Sequence, residues 1–75
     1  MEQSFILRNH VSQGIMETAK FGTHFLTYLQ EKEDERLISL QRYKNENDAR
    51  EGHQRWMNKD WQKKSLKQLI NEDIY

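Results

Sequence analysis

The sequence contains no cysteine and no proline, and only three glycines among 75 residues. Without cysteine there is no disulfide, no thiolate metal site and no thiol nucleophile. Without proline, and with so little glycine, most helix breakers and most turn signals are missing, which favours a helical chain. Long apolar runs are missing as well. No segment approaches the roughly 20 apolar residues that cross a bilayer. The first twenty-one residues are interrupted by Arg8, Asn9, His10 and Glu17 and do not form a secretion signal. A cytoplasmic protein without a membrane span is expected. Charge of one sign is not in excess either: 12 basic and 12 acidic residues cancel to a formal net charge of zero, which argues against a general polyanion binder.

Hydrophobic residues make up 35% of the chain and charged residues 32%. A chain this short buries a modest fraction of its surface. One small domain, residues 1–75, is expected, with self-association or a partner supplying further burial.

The segment from Leu7 to Leu29 carries the clearest helical period. At about 100° per residue, Leu7, Val11, Ile15, Ala19, Phe25, Leu26 and Leu29 gather on one half of a wheel. Apolar and polar residues do not alternate over a useful length, so a strand reading is set aside. Ser4 is the expected N-cap, and Arg8 is read as a rim residue whose stem lies on the apolar face. Gly14, Thr18 and Gly22 fall four apart. Glycine in a helix costs roughly 1 kcal/mol against alanine, so this ridge is read as a helix-packing seam that lets a second backbone approach closely. The alternative is a break at Gly22.

The mixed-charge cluster from Glu31 to Arg36 holds good helix formers, so propensity continues the first helix through it. Asn45 to Asp48 reads as a turn, with Asp48 and Glu51 at capping-box spacing. Two i,i+4 ion pairs, Glu51 with Arg55 and Asp60 with Lys64, support a following helix. The expected fold is all-α: a helical hairpin or small three-helix bundle with a long first helix over about 5–44, bent or broken near 22 or 33. A turn at about 45–48 leads to a second helix over about 49–74, and dimerisation would complete the burial. Trp61, Leu66, Leu69 and Ile70 are expected to pack on Val11, Ile15, Phe25 and Leu26.

On that second helix Arg55, Lys59, Lys63 and Lys67 would form one cationic ridge, with Trp56 beside it and exposed and Trp61 in the core. Such a ridge suits an acidic patch on a larger protein; phosphates of nucleic acid are a second candidate. The plain alternative is a solvated face balanced by the acidic cluster. His10, Glu17 and His24 are seven apart, about 10 Å along a helix, too far to chelate one metal ion. His53 is read as a surface residue. No Gly-rich phosphate loop and no nucleophile–base pattern is present, and no metal or cofactor is implied. The expected function is a non-catalytic protein–protein interaction module acting as adaptor, regulator or inhibitor. The alternatives are a nucleic-acid-binding module using the same ridge and a self-assembling structural protein such as a homodimer.

Overall fold

The structure is a computed structural model that describes residues 4–72. It overturns the all-α expectation. The stretch read as one long helix is a four-stranded antiparallel meander: β1 (Ser4–Val11), β2 (Gly14–Phe21), β3 (His24–Glu31) and β4 (Leu37–Tyr43), in spatial order 1-2-3-4. Two helices follow, α1 (Glu46–Met57) and α2 (Leu66–Glu72), separated by a non-helical connection over 58–65. The architecture is therefore one sheet with one helical layer, neither a helical hairpin nor a three-helix bundle. Its 17 Å short dimension accommodates those two layers.

The turns explain how the sheet is built. Ser12-Gln13 and Gly22-Thr23 are two-residue hairpin loops closed by the pairs Val11–Gly14 and Phe21–His24. Gly22 takes φ 62, the positive value that the first position of a type II′ turn requires. Gly14 opens β2 at φ 156, and a Cβ there would run into the Gln30 carbonyl oxygen of β3. The third hairpin uses the charged cluster as its loop. Glu35 adopts φ 55, the Glu31 N–H donates to the Arg36 carbonyl at 2.8 Å, and Arg36 pairs with Glu31 (2.8 Å) and Asp34 (3.5 Å). Gly14, Thr18 and Gly22 thus lie on a strand and a turn, where no helical ridge exists.

Strand periodicity puts Leu7, Asn9, Met16, Thr18, Phe25, Thr27, Leu29, Gln41 and Tyr43 on one face. α1 lies across this face and packs on all four strands. Gly52 of α1 meets the Tyr43 ring, where a Cβ would overlap it, so this glycine sets how close the helix sits. The core has two parts. Met16, Leu29, Trp56, Trp61 and Leu69 form one; Phe25, Tyr43 and Ala49 form the other. Trp61 is core as expected. Its companions include Met16 and Leu29, with Val11, Leu40, Leu66 and Ile70 around them, while Phe25 belongs to the other part.

Helix ends follow local chemistry. Asn45 caps α1: its Oδ1 accepts from the Asp48 N–H at 2.8 Å, and its Nδ2 reaches back to Asp48. The helix therefore starts inside the expected turn. It ends at Met57 because Trp61 folds back and donates its indole N–H to the Trp56 carbonyl at 2.7 Å. Ser65 and Gln68 then form a reciprocal capping box for α2. Ser12 and Gln13 of the first hairpin donate to the carbonyls of Trp61 (2.7 and 3.2 Å), and Gln13 also to Lys64 (2.9 Å), tying the connection to the sheet.

Candidate interaction surface

Beneath α1 a chain of polar side chains crosses the sheet. His53, expected at the surface, is fully buried. Its Nδ1 lies 2.7 Å from the Thr18 hydroxyl, which lies 2.5 Å from the Thr27 hydroxyl. Thr27 donates to Tyr43 at 3.1 Å, and Tyr43 donates to Gln41 Oε1 at 3.3 Å. The same oxygen accepts from the Trp56 indole at 3.0 Å and from the Arg55 guanidinium. These directions fix the hydrogens. Thr27 spends its single hydrogen on Tyr43, so Thr18 donates to Thr27, and His53 Nδ1–H donates to Thr18.

The other ring nitrogen, Nε2, is 2.8 Å from Asn9 Oδ1. A neutral ring with its proton on Nδ1 needs the Asn9 amide nitrogen there; an imidazolium needs the oxygen. Turning one carboxamide by 180° satisfies either state. Both ring partners are uncharged, so burial alone holds the imidazole pKa below its ordinary value. Among the described residues no buried side-chain nitrogen or oxygen lacks a partner. A histidine hydrogen-bonded at both ring nitrogens and buried in this way ties α1 to the sheet.

Among the described residues no helix covers the opposite face of the sheet. It carries Arg8 and His10 of β1, Ile15, Glu17, Ala19 and Phe21 of β2, His24, Leu26, Tyr28 and Gln30 of β3, and Leu37, Ser39 and Arg42 of β4. Its centre is internally packed: Glu17 is buried and ion-paired with Arg8 at 3.2 Å, and Tyr28 meets Phe21 edge-on at 6.1 Å. Around this centre it opens. Phe21, at the end of β2, is 39% and Leu37, at the start of β4, 66% exposed, and two shallow hollows of about 480 and 500 Å³ share Phe21, Leu26 and Ser39. Arg42, which lines the first of them, and Lys44, just past the end of β4, make no ion pair among the described residues.

The residues of the expected cationic ridge do not lie on one helix. Arg55 is on α1 and bonded to Gln41. Lys59 and Lys63 lie in the 58–65 connection, and Lys67 is on α2. The Lys59 ammonium sits 5.0 Å above the Trp56 ring and 4.0 Å from Glu72. Lys64, paired with the same carboxylate, has its pKa raised by that hydrogen bond. Trp56, expected to be exposed, is 1% exposed and belongs to the core. Lys67 borders an apolar hollow of about 550 Å³ between Ile38, Leu66 and Ile70. Among the described residues no three His, Asp or Glu side chains converge on a point where a metal ion could sit, and no helix is long and apolar enough to cross a membrane.

Sequence reasoning missed Phe21, Leu37, Arg42 and Lys44 because the helical wheel placed them at an edge or in a solvated segment. Two-residue loops ten positions apart were the available signal. Compared with protein-family models, with curated proteins and with solved structures, the chain matches none.

Proposed function

We propose that this chain is a non-catalytic protein-interaction module that docks on an acidic surface of a larger protein through its uncovered sheet face, from Phe21 at the end of β2 to Leu37 and Arg42 of β4. The observation that carries this reading is the exposed Phe21 and Leu37 lining one shallow hollow, with Arg42 lining the adjoining one and Lys44 two residues further on, neither cation ion-paired among the described residues. Interfaces combine a few apolar anchors with a charged rim that steers the partner. The buried polar groups are already satisfied by one another, which supports binding over catalysis. Arg55 on α1, Lys59 and Lys63 in the connection and Lys67 on α2 share no single helix, which weighs against the continuous phosphate track that a nucleic-acid reading needs.

Cross-linking in the native host with mass spectrometry identifies the partner, and titration of that partner as a recombinant protein tests the surface. A Phe21→Ser, Leu37→Ser double variant is expected to bind at least about tenfold more weakly with its fold intact. Equal binding by the variant, or binding only to DNA or RNA with a steep log-linear salt dependence, defeats the proposal.

A further inference from the structure

β4 pairs with β3 on one side only, so it ends the sheet, and its outward N–H and C=O groups face no other strand among the described residues. The segment from Arg36 to Lys44 holds three cations and no carboxylate. Arg36 is bound by Glu31 and Asp34, but Arg42 and Lys44 have no ion pair among the described residues, and Arg55 reaches the strand through Gln41. Two copies of such a strand repel each other wherever their cations come opposite one another, which is one way edges are guarded against self-pairing. The same charges attract an acidic strand. The other edge, β1, lacks this character: its open-face cation, Arg8, is already held by Glu17.

Resting on the interaction reading above, we propose that the β4 edge accepts an extended acidic segment of the partner as a fifth antiparallel strand. The register of the existing sheet fixes the pattern that segment must carry. Leu37 and Arg42 face the same side and pair with Gln30 and Leu26, four apart on β3, because Leu40 is an extra bulged residue. An added strand therefore needs a carboxylate beside Arg42 and, four residues later, an apolar side chain beside Leu37. A second carboxylate two residues before the first meets Lys44. Backbone hydrogen bonds supply the attachment, and these alternate side chains supply the selectivity.

The probe is an end-blocked peptide, Thr-Glu-Thr-Glu-Thr-Thr-Thr-Leu-Thr, with a control in which both Glu are Lys. Titrated into the isotope-labelled full chain, the acidic peptide is expected to shift amide resonances of 37–43 and slow their hydrogen exchange. The control is expected to bind at least about tenfold more weakly. An Arg42→Glu, Lys44→Glu variant, checked for unchanged thermal unfolding, should reverse that preference. Shifts confined to α1 or to the middle of the open face, no preference between the peptides, or no reversal in the variant overturns the proposal. So does the absence of peptide binding. If the cross-linked partner still binds in that case, the edge is excluded and the interaction reading survives.

Discussion

The two faces of the sheet are made from adjacent residues of the same strands, yet they have opposite chemistry. Under α1, every polar side chain from Asn9 through His53, Thr18, Thr27 and Tyr43 to Gln41 is engaged by another. On the other face, only the centre is closed by the Arg8–Glu17 pair and by Tyr28, and the β4 side keeps apolar and cationic groups exposed. The covered face holds the buried core and its hydrogen-bonded relay. The uncovered face is the one the proposed interaction uses.

The largest test of this contrast is truncation on each side. Trp56→Ala, which empties a site 1% exposed, should cost about 3–5 kcal/mol in denaturant unfolding. Leu26→Ala on the open face should cost about 1 kcal/mol, because it is only half-buried and leaves no closed cavity. Equal costs would abolish the distinction. Next comes the relay. Thr18→Val keeps the shape but leaves His53 Nδ1–H without its acceptor and Thr27 without its donor, while Thr27 keeps Tyr43 and His53 keeps Asn9, a loss of about 1–3 kcal/mol. Thr18→Ser retains the hydroxyl and should stay closer to wild type.

The third test is pH. Burial lowers the His53 pKa from 6.5 in the folded state, so the unfolded chain takes up the proton first as acid is added. The stability owed to neutral His53 is complete above about pH 6.5 and is lost as pH falls below it through the folded value. Unfolding measured across that window should show a slope that His53→Gln removes. The smallest effect sharpens the comparison from the other side. Phe21→Ser and Leu37→Ser should each change stability by no more than about 0.5 kcal/mol while weakening partner binding. A large loss of stability would mean that the open face belongs to the core.

The helical half of the chain was partly legible. The Asn45–Asp48 turn lies where α1 begins, Trp61 is in the core, and Ser65–Gln68 carries a capping-box spacing that the long-helix reading passed over. The strands were not legible by alternation, since β2 and β3 have apolar residues on both faces: Ile15, Ala19, Phe21, Leu26 and Tyr28 against Met16, Phe25 and Leu29. With the period of two erased, a wheel at about 100° per residue finds a false stripe among the same residues. The close-approach argument for glycine has a helical instance in this chain, at Gly52 against Tyr43. His53 could not be located from sequence because its burial depends on partners 35 and 44 residues away.

The sequence alone set the small apolar content, the balanced charge, the missing thiols and the local chemistry of caps and turns, because these depend on composition or on neighbours within a few positions. Which side of each strand became interior was decided only when α1 crossed one face of the sheet. Strand pairing leaves both faces equally available, and burial under a helix is a long-range choice that removes one of them from water.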